Sequence, residues 1–154
     1  MKEIQILPGE LFFTEEEYQI TTILGSCVSV TFFHSQTKSA GIFHALMPYF
    51  NDRKSKNPFD YIDYSMNYLL EKFQKKKISL NELEIKLFGG SNMFSLDDQK
   101  KIYSIGSHNV ETAKELLKAR NLEIMIEDTG GSSGRKIIFN TSTGDVFRKF
   151  LRNF

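Results

Sequence analysis

The sequence predicts an α/β fold: a sheet-rich sandwich with two helices packed on its outside. Three observations carry that expectation. Short segments rich in β-branched and aromatic residues recur along the chain between turn-forming residues. Only two stretches show helical spacing, and they are inserted separately among the strands. The last strands read as a hairpin that closes the chain.

Each element has its own justification. Residues 19–24 are rich in β-branched side chains and read as a strand. Val28, Val30 and Phe32 alternate with Ser29 and Thr31, the period of a half-buried strand. Residues 34–38 are polar and turn-like, and residues 41–47 return as a second strand that Pro48 stops. The polar stretch 51–58 reads as a loop inside the same domain.

A helix is expected next. Asn57 can cap it, Pro58 suits its first position and Asp60 its first turn. Ile62, Met66, Leu69, Leu70 and Phe73 then share one face. Lys75, Lys76 and Lys77 fall where that helix ends, as solvated cations matched to its dipole. Residues 83–88 form a strand ending at Gly89-Gly90. A second helix covers residues 109–120, with Val110, Ala113, Leu116 and Leu117 inward. Residues 122–127 form a strand ending near Gly130-Gly131. Residues 135–140 and 145–151 form the hairpin around Thr141-Ser142-Thr143-Gly144.

Composition narrows the function. A chain of 154 residues predicts one domain over 1–154. Such a domain buries roughly 70% of its unfolded surface, so it needs no disulfide or metal to fold. The net charge of +1 is too balanced for a nucleic-acid-binding footprint. A single cysteine excludes an internal disulfide and points to a reducing compartment. Met-Lys-Glu-Ile-Gln at the start is not a signal peptide, and no run approaches the ~18 apolar residues of a membrane span. A cytoplasmic protein that is not membrane-inserted is expected.

No cofactor or metal is expected either. Neither Gly89-Gly90 nor Gly130-Gly131 is followed by the Gly-Lys-Ser/Thr of a phosphate loop. His34, His44, His108 and Cys27 lack ligand-like spacing for zinc. His34 and His108 read as surface loop residues. Asp97-Asp98 reads as an exposed loop, and Asp60 with Asp63 as a helix start.

The chemistry concentrates in the hairpin of residues 28–46. Pairing Phe33 with Ala40 sets Val28 opposite Ala45, Val30 opposite Phe43 and Phe32 opposite Gly41, which gathers an apolar set on one face. The other face then carries Cys27, Ser29 and Thr31 with Ile42, His44 and Leu46. Cys27 and His44 become diagonal neighbours, with Cα atoms ~7–8 Å apart. A thiol with its ordinary pKa of ~8.5 is mostly unreactive at neutral pH. An adjacent imidazole can take its proton, and the thiolate can attack an amide carbonyl. The imidazolium can then protonate departing ammonia. Gly25 lets the backbone approach a substrate closely, and the N–H groups around Gly25 and Ser26 are candidates for an oxyanion hole. Only one of Thr21 and Thr22 can face this site, because strand side chains alternate.

These residues resemble a known family. Thr21-Thr22-Ile23-Leu24-Gly25-Ser26-Cys27-Val28 is similar to the LGSCV signature of CheD, the chemoreceptor glutamine deamidases of bacterial and archaeal chemotaxis. Gly41-Ile42-Phe43-His44-Ala45-Leu46-Met47-Pro48 is similar to the segment that supplies the family's catalytic His. Gly89-Gly90-Ser91-Asn92-Met93-Phe94, Ile105-Gly106-Ser107-His108-Asn109 and Asp128-Thr129-Gly130-Gly131 continue the likeness in order.

The resemblance implies a catalytic set of Cys27, His44 and Thr21, with Thr21 accepting a hydrogen bond that orients the imidazole. It implies a fold related to glutamine-deamidating toxins. It also implies the cytoplasmic domain of methyl-accepting chemoreceptors as substrate, and in some lineages the phosphatase CheC as a regulatory partner. Two other readings fit the same residues: a receptor methylesterase using the same Cys and His, and a non-catalytic adaptor that binds receptor or CheC.

Overall fold

The computed structural model describes residues 1–52, 56–92 and 104–152. The expectations on Met93, Phe94 and Asp97-Asp98 lie outside the described residues. Nine strands and two α-helices are present among the described residues. The strands are β1 (Lys2–Gln5), β2 (Leu11–Thr14), β3 (Tyr18–Leu24), β4 (Val28–His34), β5 (Ser39–Ala45), β6 (Glu84–Gly89), β7 (Ile126–Thr129), β8 (Arg135–Asn140) and β9 (Val146–Phe150). The helices are α1 (Ile62–Lys75) and α2 (Ile105–Ala119).

The strands form two sheets, ordered β1-β3-β8-β9 and β2-β5-β4-β6-β7. The expected hairpin register holds along its whole length: Val28 pairs with Ala45, Ser29 with His44 and Phe33 with Ala40. Register follows from the apolar pattern, because a slip of one residue would turn every side chain to the other face.

Each face of β4 and β5 has its own covering layer. Val28, Val30, Phe32, Phe43 and Ala45 pack with Met66, Leu69, Leu70 and Phe73 of α1 and with Ala113 and Leu117 of α2. Phe33, Ala40 and Ile42 pack with Ile20 and Leu24 of β3 and with Ile137 and Phe139 of β8. The order of layers is therefore helices, five-stranded sheet, four-stranded sheet. Burying each large apolar side chain stabilises this arrangement by about 1.5–3 kcal/mol.

Several local expectations are corrected. β4 is not half-buried: all seven of its residues are buried, because the second sheet covers the face that carries Ser29 and Thr31. His34 is not in a surface loop. It ends β4, is 4% exposed, bonds Thr37 Oγ1 through Nδ1 at 2.7 Å and faces Glu82 at 3.6 Å. His108 is exposed but lies in the first turn of α2 rather than in a loop. That helix begins at Ile105, four residues before the expected start, because Ser104 caps it by accepting from Ser107 N.

Asn57 and Pro58 do start a turn, but it is a 3₁₀ turn over Pro58–Asp60, and α1 begins after the extended Tyr61. The strand expected at 122–127 lies at Ile126–Thr129. No helix among the described residues is long and apolar enough to cross a membrane.

Candidate active site

His44 is the penultimate residue of β5, and its side chain lies between the sheets, 1% exposed. Its Nδ1 is 2.7 Å from Thr22 Oγ1, and the Thr22 hydroxyl donates to the Ile6 carbonyl at 2.8 Å. A hydroxyl has one hydrogen. With that hydrogen on Ile6, Thr22 Oγ1 can only accept from the ring, so the network assigns the hydrogen to Nδ1. The lone pair is then on Nε2, which is buried and has no hydrogen-bond partner among the described residues. The backbone of His44 is held by the segment before β2: Gly9 N donates to His44 O at 2.8 Å, and His44 N donates to Glu10 O at 3.0 Å.

The threonine that meets the imidazole is Thr22, which corrects the expectation of Thr21. Alternation along β3 turns Ile20, Thr22 and Leu24 inward, all 0% exposed. Thr21 points to the opposite face of its sheet, is half-buried, and pairs with Gln5 and Ile138. The phase was visible in the sequence, since Ile20 and Leu24 mark the inward positions and Thr22 shares their parity.

Cys27 lies immediately before β4, two residues from the Ser29 that pairs with His44. Its half-buried thiol packs against the apolar cluster between the sheets. Nucleophile and base candidates therefore share one layer, although Nε2 makes no hydrogen bond to the sulfur. Burial pushes the Cys27 thiol up from its ordinary value, and the negative charge of Asp60 adds to that. Its own backbone N–H acts in the opposite sense. Burial pushes His44 down to about 4, against the smaller attraction of Glu10. The resting pair is thus a neutral thiol beside a neutral imidazole.

The turn before Cys27 is held by its carbonyl groups. Ser91 N donates to Gly25 O at 2.9 Å, Asn109 Nδ2 to Ser26 O at 3.0 Å and Gly90 N to Cys27 O at 2.8 Å. Gly89 sits under this turn with φ +107°, and a Cβ there would overlap the Cys27 carbonyl oxygen. Arg135, 1% exposed, fastens the next shell. It donates to Ser91 Oγ at 3.1 Å, to the Asp128 carbonyl at 2.6 Å, to the Asp128 carboxylate and to the Gly130 carbonyl. Gly25 and Ser26 form the turn that leads into Cys27. Thr22, Asn109 and Asp60 are the neighbours that reading the sequence did not assign to the site. Among the described residues, no group of three or more His, Cys, Asp or Glu is arranged to hold a metal ion.

Comparison with known proteins adds the lineage. Residues 46–150 match the family model described as CheD chemotactic sensory transduction. That range includes Asn109 and begins two residues after His44, beyond Cys27. Full-length relatives extend over both. The chain is 40% identical over 151 residues to "Probable chemoreceptor glutamine deamidase CheD 2" of Geobacter sulfurreducens, covering 98% of this chain and 91% of that protein. It is 38% identical to "Probable chemoreceptor glutamine deamidase CheD" of Oleidesulfovibrio alaskensis, covering 99% of this chain and 74% of that protein. It is 41% identical over 132 residues to "Probable chemoreceptor glutamine deamidase CheD 1" of the archaeon Methanosarcina acetivorans, covering 85% of this chain and 80% of that protein.

Proposed function

The chain belongs to the CheD family, and from that premise we propose that it is a cysteine-dependent deamidase. It converts glutamine side chains of chemoreceptors to glutamate and releases ammonia. The observation that carries this reading is the state of His44. Its Nδ1 is tied to Thr22, and its Nε2 lone pair is unengaged among the described residues, in the layer it shares with Cys27.

The chemistry follows from those groups. Both partners rest neutral, so proton transfer and attack are coupled. Nε2 takes the thiol proton as sulfur bonds to the carboxamide carbon, and the carbonyl π pair moves onto oxygen. When that pair returns, the C–N bond breaks and the imidazolium delivers its proton to the leaving nitrogen as ammonia. Water then attacks the thioester with His44 as base. The C–S bond breaks, glutamate leaves, and the thiol recovers its proton. Thr22 keeps Nδ1 protonated through both halves, which keeps Nε2 the working nitrogen. Receptor glutamines reached from inside the cell imply a cytoplasmic enzyme.

The test is peptide mass spectrometry of a receptor cytoplasmic fragment after incubation with the protein, with Cys27→Ala in parallel. The expected result is a Gln-to-Glu mass gain with wild type alone. Binding without any conversion would overturn the deamidase reading, and a methylated fragment would then test for methanol release by the same thiol.

A further inference from the structure

We infer that Asn109 is a positioning residue whose side chain fixes the Ser26–Cys27 peptide so that the Cys27 N–H forms the oxyanion hole. The inference deepens the deamidase reading and rests on it for the identity of the substrate. The amide itself would serve any acyl transfer at Cys27.

The geometry of the turn carries the argument. The carbonyl groups of Gly25, Ser26 and Cys27 are each held by a donor behind the turn. In a planar trans peptide the C=O and the following N–H point in opposite directions. Anchoring the Gly25 and Ser26 carbonyls therefore turns the N–H groups of Ser26 and Cys27 the other way. The Cys27 N–H acts on the Cys27 sulfur itself, since that amide lowers the thiol pKa. A donor beside the nucleophile is where the oxygen of a tetrahedral adduct develops its charge.

The three anchors differ in kind. Gly25 and Cys27 are held by the backbone amides of Ser91 and Gly90, donors that belong to the main chain. Ser26 is held by a side chain, Asn109. The peptide that presents the Cys27 N–H is thus the one whose orientation depends on a side chain.

Asn109 is built for this contact. It is 0% exposed, and its Nδ2 donates both hydrogens, to Ser26 O at 3.0 Å and to Leu46 O at 2.9 Å. Both partners are carbonyl oxygens, so the NH₂ end must face them. One side chain therefore links the nucleophile turn to the segment two residues beyond His44. Its Oδ1 is buried without a hydrogen-bond partner among the described residues, so the side chain is committed to the two carbonyls through its NH₂ end. Reach is set by Gly106, one helical turn earlier on the same face. A Cβ there would overlap the carbonyl oxygens of Gly90 and Ser91, so glycine lets the start of α2 settle against the turn. The spacing Gly-x-x-Asn in Ile105-Gly106-Ser107-His108-Asn109 acquires a physical meaning: close approach, then a reaching amide.

Two reagents separate the oxyanion from the thiol. p-Nitrophenyl acetate acylates Cys27 through a tetrahedral oxyanion and releases p-nitrophenol. Iodoacetamide alkylates the same sulfur by displacing iodide at a saturated carbon, with no oxyanion. Wild type, Asn109→Asp and Asn109→Leu are compared with both reagents, with Cys27→Ala as the background and thermal melting as the folding control. We expect acylation to fall about 10²-fold in both variants while alkylation stays within about twofold.

Equal acylation in wild type and both variants would overturn the inference. So would parallel loss of acylation, alkylation and melting temperature, which is what a structural role alone produces. Deamidation of a receptor fragment is measured on the same samples. A wild type that deamidates nothing but shows the acylation split would remove the deamidase reading and leave the role of Asn109 standing.

Discussion

The two faces of β4 and β5 are built from the same two strands and do different work. Toward the helices they present Val28, Val30, Phe32, Phe43 and Ala45, all fully buried against α1 and α2. Toward the second sheet the same strands present Ser29, Thr31 and His44, equally buried but polar. One face is a packed hydrophobic layer, and the other is a mixed layer in which buried polar groups must find partners. Lys86 donates to the Gly144 carbonyl at 2.8 Å, and Arg135 is shared among Asp128, Ser91 and Gly130. Ser29 Oγ and His44 Nε2 break that rule, because both are buried without a hydrogen-bond partner among the described residues. The unused bonding capacity falls in the mixed layer, which is the pattern expected where chemistry is placed.

The largest test of this division lies in the polar layer. Cys27→Ala is expected to lower deamidation by at least about 10⁴-fold, because the covalent route is lost, while the melting temperature barely moves. Mass spectrometry and calorimetry on one preparation check both halves. The apolar layer should behave in the opposite way. Phe73→Ala removes a fully buried ring that meets Phe13 edge-on at 5.1 Å and Phe32 at 6.1 Å. It should cost about 3–5 kcal/mol in urea unfolding, with kcat retained by the fraction that stays folded. Equal effects of both variants on stability would break the comparison.

Reading the sequence recovered the apolar layer almost completely and the polar layer in part, for a physical reason. The inward residues of α1 and the register of β4 with β5 follow from periodicity, because burial of one apolar face admits few alternatives. Ser29 and Thr31 looked like solvent-facing positions, since polarity in alternation does not distinguish water from a second sheet. β1 and β2 escaped notice because four residues are too few to show a period. Lys2-Glu-Ile-Gln carries one apolar residue, and Leu11-Phe-Phe-Thr does not alternate. His34 looked exposed because its partners Thr37 and Glu82 identify themselves only after folding. The register that sets Ser29 opposite His44 could be read from the pattern, whereas choosing Thr22 over Thr21 required the phase of β3.

The polar layer should also give the protein its pH dependence. The folded pKa of His44 is lowered from 6.5 to about 4 by burial. Above pH 6.5 both folded and unfolded states hold it neutral, so it costs nothing. As pH falls through that value the unfolded chain binds a proton that the folded chain refuses, and stability drops until about pH 4. The loss attributable to this one group is about 3 kcal/mol. Urea titrations of wild type and His44→Gln across that window should differ by this amount. The Cys27 thiol is raised by burial, so its contribution is lost at the other end, as pH rises above its ordinary value. Iodoacetamide should accordingly react slowly with Cys27 at pH 7 and faster with rising pH. A fast plateau at neutral pH would mean that the resting pair is a thiolate and an imidazolium instead.

The smallest effect separates two adjacent threonines. Thr22→Val removes the acceptor for His44 Nδ1 and the donor to Ile6 O, with almost no change of shape. The ring then loses the contact that fixes its tautomer, and the hydrogen can move to Nε2, where it blocks the base. Deamidation should fall roughly 10–100-fold, with little change in iodoacetamide alkylation at a pH well above the thiol's ordinary value, where the thiolate forms without help. Thr21→Val changes a half-buried residue on the far face of β3 and should leave both rates unaltered. If Thr21→Val proves the damaging substitution, the phase of β3 seen here is not the phase of the working enzyme. The hydroxyl that holds His44 would then have to come from the opposite face of that strand, which requires β3 to shift by one residue against β8 and would disturb the apolar cluster between the sheets as well.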